Sequence, residues 1–277
     1  MTTKSIQSQN NLLHRLHRKL GRSPWATKLA LKVKNQMSAI IRCSLNDGIH
    51  PDDNGEHWLM QRVATDVQFF VDVGANVGEY SSSLLALTDS SCEGLAFEPS
   101  PLAFTALQTK LAPEIDKRLS IFQMALGDSV GVANFHMEAN AGETSSLVRH
   151  HSQVDAQVVQ IQTTTLDAAI KRFGDPQRID LLKIDAEGFD LRVLKGASEL
   201  LRTHRVAVIQ FEYNAPWAFA GSTLADALDL LGDHGYSVRL LKREGLVAFD
   251  YAKYGDFFGY ANFVAFLPGD LRFQDPA

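Results

Sequence analysis

Cysteine is almost missing from this chain of 277 residues, which holds only Cys43 and Cys92. Two thiols with no ligand pattern around them exclude a disulfide scaffold and a cysteine-type zinc site, and they suit a reducing cytoplasm. Long hydrophobic runs are missing too: no stretch approaches the ~18 uncharged apolar residues of a membrane span. With 9 Pro and 19 Gly, the chain is neither collagen-like nor of low complexity. A local absence is more telling. Residues 1–46 carry nine basic residues (Lys4, Arg15, Arg18, Lys19, Arg22, Lys28, Lys32, Lys34 and Arg42) and no acid. The remainder holds 18 basic against 32 acidic residues. Such an acidic body argues against nucleic acid as a partner, because phosphate binding needs clustered positive charge. The basic head is where an anionic membrane could dock, which would place the protein peripherally at an inner membrane surface. It does not read as a secretory signal, since Arg15, Arg18 and Lys19 interrupt Leu12–Leu20.

What is present can fold. The chain is 45% hydrophobic with 16 Phe, enough for a sizeable core. Leu12, Leu13, Leu16 and Leu20 recur at helical spacing, Gly21–Pro24 breaks the pattern, and a second basic helix runs through Leu29, Val33, Met37 and Ile41. Turn signals at 46–48 and 50–55 then read as a linker. The expected division is a basic helical extension and linker over 1–56 and one domain over 57–277. In that domain, strands at 69–73, 94–97, 119–124, 179–184, 206–211, 236–241 and 262–267 alternate with helices, including one over 191–201. Two antiparallel ribbons, 132–137 and 158–163, flank a polar loop. This alternation specifies an α/β fold, a doubly wound sheet with ligands at the carboxyl ends of its strands.

The most informative segment is Asp72-Val73-Gly74-Ala75-Asn76-Val77-Gly78, between the first strand and a helix. Gly74 and Gly78 permit a tight turn and close backbone approach. Asn76 stands where a dinucleotide fingerprint needs its second glycine, which disfavours pyrophosphate and a nicotinamide-dependent oxidoreductase. Asp72 points to a ligand with a positive group. Glu98, before Pro99 at the end of the second strand, can accept from both hydroxyls of a ribose. Taken singly, Asp72 could be a helix cap and Glu98 a solvated loop acid. Together they fit a ligand with an ammonium group, a ribose and no phosphate, namely S-adenosylmethionine.

The chain resembles the FkbM-type family of S-adenosylmethionine-dependent methyltransferases. The resemblance rests on Phe70–Gly78, Ala96–Ser100, Ala125–Asp128, Thr144–Leu147, Thr164–Asp167, Ile179–Asp190 and Val193–Ala197, in that order. The family usually has Glu where this chain has Asp190. The resemblance implies a class I methyltransferase (Rossmann-like) fold and methyl transfer to a hydroxyl of a sugar, glycolipid or natural product. It also implies cofactor contacts from Asp72, Gly74, Ala75, Asn76, Gly78, Glu98, Pro99 and Asp185, with Met124 and Ala125 beside the adenine.

Methyl transfer to oxygen requires alignment, exclusion of water and removal of the hydroxyl proton. Asp185 and Glu187 end one strand and Glu212 ends the next, so three carboxylates are expected to converge as the catalytic cluster. Crowded acids raise one another's pKa, which suits a general base; alternatively they hold Mg²⁺, whose ligands are oxygens. His150-His151 offers an imidazole in a lid, or a pair of solvated loop histidines. Trp217, Phe219 and Phe257–Tyr260 read as core or as an acceptor wall. Lys183, in mid-strand, could be a buried partner for an acid. A non-catalytic cofactor-binding module would keep the fold, but Asp72, Glu98, Asp185 and Glu187 occurring together argue against decay.

Overall fold

The computed structural model describes residues 14–137, 147 and 157–273. The chain divides at Leu45/Asn46 into two units. In the first, residues 14–21 (α1) and Pro24–Leu45 (α2) are helical. Pro24 opens α2, a position where the missing N–H costs nothing.

The second unit contains β1 (Phe69–Val73), β2 (Glu93–Phe97), β3 (Leu119–Phe122), β4 (Ala125–Leu126), β5 (Gly131–Met137), β6 (Gln157–Thr164), β7 (Ile179–Ile184), β8 (Val206–Tyr213), β9 (Ser237–Lys242), β10 (Gly245–Val247) and β11 (Ala261–Phe266). Its helices are α3 (Glu56–Val63), α4 (Glu79–Leu87), α5 (Pro101–Leu111), α6 (Leu166–Arg172), α7 (Asp190–Lys195), α8 (Ser198–Arg202), α9 (Pro216–Phe219), α10 (Leu224–Asp233) and α11 (Tyr251–Tyr254). Every residue of β7 and β11 is buried, as in strands covered on both faces. The main sheet runs β10-β9-β11-β8-β7-β1-β2-β3. The strands from β8 to β3 are mutually parallel, and β11 lies antiparallel between β8 and β9. The chain winds outward from β1 to β3 and returns on the other side to β7, so the order reverses between β1 and β7. This is the doubly wound, Rossmann-like class I sheet that the sequence led us to expect, and its crevice falls at that reversal. The ribbon β5–β6 is antiparallel, with β4 completing a small second sheet.

Local chemistry sets the boundaries. Ser100, Thr165 and Thr223 cap α5, α6 and α10 by accepting backbone N–H bonds from Ala103, Ala168 and Asp226. The helix expected over 191–201 is instead two, α7 and α8, broken at Gly196-Ala197. A Cβ on Gly196 would lie 2.0 Å from the carbonyl oxygen of Gly127, so close backbone packing fixes the break. The third strand stops at Phe122, two residues before its expected end, because Ala125 and Leu126 pair with β6 instead. Residues 46–55, expected as linker, are tied into the second unit. Asp47 pairs with Lys242 at 2.7 Å, and buried Asn54 donates to the Tyr260 hydroxyl at 2.9 Å.

Asp180 anchors the start of the central pair of strands. Its Oδ2 accepts from the amides of Gln68 and Phe69 at 2.9 and 3.0 Å, and Arg178 meets Oδ1 at 2.9 Å. Asp180→Ala strands two amides at the entry to β1 and is expected to lower stability by about 1–3 kcal/mol, measured by urea unfolding.

Candidate active site

A cavity of about 790 Å³ opens where β1, β2, β7 and β8 end. Ten of the residues expected at the site line it: Gly74, Ala75, Asn76, Glu98, Pro99, Met124, Ala125, Asp185, Glu187 and Glu212. Two do not. Gly78 (φ 85°) precedes α4, and a Cβ there would strike Leu107 at 2.7 Å, so it serves helix packing. Asp72 is wholly buried in β1; its Oδ2 accepts from the Ser81 hydroxyl at 2.6 Å, and its Oδ1 has no partner among the described residues.

The glycine loop is shaped by its neighbours. Gly74 adopts φ 78°, and a Cβ there would sit 1.8 Å from the Asp185 carbonyl oxygen, so only glycine lets β1 and β7 turn this close together. Four of the five amides from Gly74 to Gly78 are already spent: Gly74 and Ala75 donate to the Phe97 carbonyl, Gly78 to that of Ala75, and Asn76 to Glu98. They do not form a nest for a diphosphate.

Glu98 ends β2 with both oxygens engaged, Oε2 by the Asn76 amide at 2.8 Å and Oε1 by that of Ser100 at 2.7 Å. Burial pushes its carboxyl from 4.5 up to about 7, against the pull of those two amides.

Lys183 resolves into a central role. Its Nζ donates to Asp185 Oδ2 at 3.0 Å and lies 4.9 Å from the centre of the Tyr80 ring. Burial works against its charge, yet Asp185, Asp72 and Glu56 outweigh that and hold the ammonium well above the usual lysine range. The network continues as Tyr80 donates to Gln210 Oε1 at 3.0 Å and Gln210 Nε2 to Glu56 at 2.8 Å.

Across the cavity Glu187 and Glu212 share one amide. Asn214 Nδ2 donates to Glu212 Oε1 at 2.5 Å and lies 3.5 Å from Glu187 Oε2. Burial, then repulsion from Asp185, Glu187 and Asp190, pushes Glu212 well above the usual carboxylate range, so it favours its protonated form. Buried Asp190 accepts from the Glu212 amide at 3.2 Å, and its own carboxyl is pushed well up, first by burial and then by Asp185. Glu187 holds φ 48° and Asn76 the same, left-handed turns at the ends of β7 and β1. Strain of this kind in a non-glycine residue is concentrated where side chains must be aimed.

This donor set does not suit Mg²⁺. Asp185 is taken by a lysine, and among the described residues no group of three or more His, Cys, Asp or Glu is placed to hold a metal ion.

Sequence reading missed one wall. His50, Asn54, Glu56 and His57 all line the cavity, beside Tyr260, which the sequence offered as core or as acceptor wall. Asp52 Oδ1 lies 2.7 Å from His57 Nδ1, an imidazole–carboxylate pair at the cavity edge. Its only signal was two histidines and an aspartate within a stretch that reads as turns. Trp217 is core: it is wholly buried, donates to the Glu212 carbonyl at 2.9 Å and packs on Tyr213. His150-His151 and Thr144–Ser146 lie outside the described residues.

Residues 72–238 match a family model described as the methyltransferase FkbM domain. The methyltransferase sdnD of Sordaria araneosa is 29% identical over 160 residues, covering 47% of this chain and 61% of that protein. Methyltransferase 1 of Beauveria bassiana is 22% identical over 196 residues, 65% of this chain and 72% of that one. The chain thus spans less than two thirds of the first relative's length. Among solved structures, a methyltransferase FkbM from Methylobacillus flagellatus aligns at 18% identity and TM-score 0.45, over 72% of this chain and 44% of that one.

The raised carboxyl of Glu98 gives a pH test. Its folded pKa of about 7 exceeds its unfolded value, so on raising the pH the unfolded chain loses this proton first. The contribution to stability is full below the unfolded value and lost as pH approaches 7; Asp72, Asp190 and Glu212 shift in the same direction. Unfolding free energy is expected to fall between about pH 5 and about pH 7.5, and Glu98→Gln to flatten that fall by on the order of 1–3 kcal/mol, measured by urea titration at both values.

Proposed function

This chain belongs to the FkbM methyltransferase family, and from that premise we propose that it transfers a methyl group from S-adenosylmethionine to a hydroxyl of a sugar, glycolipid or natural-product acceptor. The observation that carries the reading is one cavity with Glu98 at the end of β2 and the acids Asp185, Glu187 and Glu212 at the ends of β7 and β8. S-adenosylmethionine supplies an electrophilic methyl group on a positively charged sulfur.

Glu98 is the ribose holder. Each of its oxygens accepts one amide and keeps a lone pair for a hydroxyl, so a vicinal diol matches what remains. Met124, Ala125 and Leu126 offer an apolar wall for a flat ring. Asp185, partly exposed beside Lys183, faces the cationic end of the cofactor, while Asp72 acts from inside the sheet through Lys183 and Ser81. The engaged loop amides favour this cofactor over a nicotinamide dinucleotide.

Proton removal falls to Glu187. A protonated Glu212 can donate to the acceptor oxygen and fix its direction, but it is no base, whereas Glu187 can accept the hydroxyl proton as the new bond to carbon forms. The His57–Asp52 pair supports a second reading, because the carboxylate fixes the ring and leaves Nε2 as a base.

Calorimetry is expected to show binding of S-adenosylmethionine and none of NAD, with Glu98→Ala weakening the former by about 1–3 kcal/mol. In a mass-spectrometric screen of hydroxylated acceptors, Glu187→Gln is expected to retain cofactor affinity and lower turnover by ~10²-fold. A Glu187→Gln enzyme at full rate beside an inactive His57→Gln enzyme moves the base to His57.

A further inference from the structure

The first unit carries a surface unrelated to the cavity. On a helix of 3.6 residues per turn, Trp25, Leu29, Val33, Met37, Ile40 and Ile41 of α2 fall in one arc of almost half the circumference. All six are exposed, Trp25 by 73% and Ile40 by 62%. The opposite arc holds Lys28, Lys32, Lys34 and Arg42, with Leu31 and the buried Leu45 its large apolar residues. Lys32 and Lys34 stand at the two borders between the arcs.

The described residues of this unit contain no aspartate or glutamate, and α1 adds Arg15, Arg18 and Lys19 beside the exposed Leu16 and Leu20. No helix among the described residues is long and apolar enough to cross a membrane. We propose that α2 is an interfacial helix, which lies in the surface of an anionic lipid bilayer with its apolar arc among the acyl chains and its lysines at the headgroups.

Charge selects this occupant. A second copy of the helix would bring one cationic surface against another, so self-pairing through the face opposes its own charge. An anionic bilayer satisfies both arcs at once: the apolar arc is removed from water, and the border lysines extend their stems along it to reach phosphates. Trp25, at the edge of the apolar arc in the first turn, suits the interface with its apolar ring and polar N–H. The proposal is independent of the acceptor and of the catalytic assignment.

The test uses the full-length protein with phosphatidylcholine vesicles, with and without about one-third phosphatidylserine, at low salt and at about 0.5 M salt. Co-sedimentation with the anionic vesicles at low salt is expected, with loss on neutral vesicles and at high salt, and with a blue shift in emission that Trp25→Phe removes. Lys28→Glu/Lys32→Glu is expected to lower partition by roughly 25-fold, and Val33→Ser/Ile40→Ser by roughly tenfold or more. Both double variants should bind S-adenosylmethionine as the parent does, which separates this outcome from misfolding of the second unit. Binding that ignores phosphatidylserine, or that survives Val33→Ser/Ile40→Ser undiminished, overturns the proposal. So does a dimer in sedimentation velocity that the serine pair dissolves while vesicles stay unbound, which assigns the arc to a second copy.

Discussion

A buried row of polar side chains runs across the middle of the sheet, and the site depends on it. Asp72 of β1 pairs in register with Lys183 of β7, and Lys183 with Gln210 of β8. Side chains in register on adjacent strands share a face, so an acid, an ammonium and an amide line up inside an apolar sheet. Each alone would cost several kcal/mol to desolvate; Ser81 donates to Asp72, Tyr80 to Gln210 and Gln210 to Glu56, while Asp72 Oδ1 keeps no hydrogen-bond partner among the described residues. Lys183 is the hinge of this arrangement, because it offsets Asp72 within the sheet and Asp185 at the cavity edge.

That placement has chemical consequences. Asp185 is held by a cation beside the switch point, whereas Glu212, one strand further on, has an amide partner and three acidic neighbours. Residues of one chemical type therefore meet different electrostatic surroundings within one cavity. The contrast is set by strand register and by Asp190, which is buried beneath Glu212 and holds its amide. Asn76 and Glu187 both hold left-handed backbone, just past the ends of the two strands that flank the reversal.

Charge is segregated along the chain as well. A cationic helical unit with an exposed apolar arc precedes an acidic body whose cavity is walled by carboxylates. Among its described residues the first buries only Leu45, while the second has a deep core from Leu59 to Phe266. The two units therefore meet the hydrophobic effect in opposite ways, one leaving apolar surface to be covered and the other covering its own.

Local rules in the sequence determined the strand–helix alternation, the glycine loop, the acids at the strand ends and the basic helix, since each depends on residues a few positions apart. The positions of Glu98, Asp185, Glu187 and Glu212 were legible for that reason: residues at the carboxyl end of a strand lie at that end of the sheet. Tertiary structure alone decided the rest. It buried Asp72 instead of presenting it to a ligand, because its register partner Lys183 is more than a hundred residues away and invisible to spacing. It turned residues 49–56 from an apparent linker into part of a cavity wall, through bonds from Asn54 to Tyr260 and from Gln210 to Glu56. It broke the helix at Gly196 against the Gly127 carbonyl. Those outcomes depend on which distant backbones come within a few ångströms of one another, and a one-dimensional pattern carries no measure of that distance.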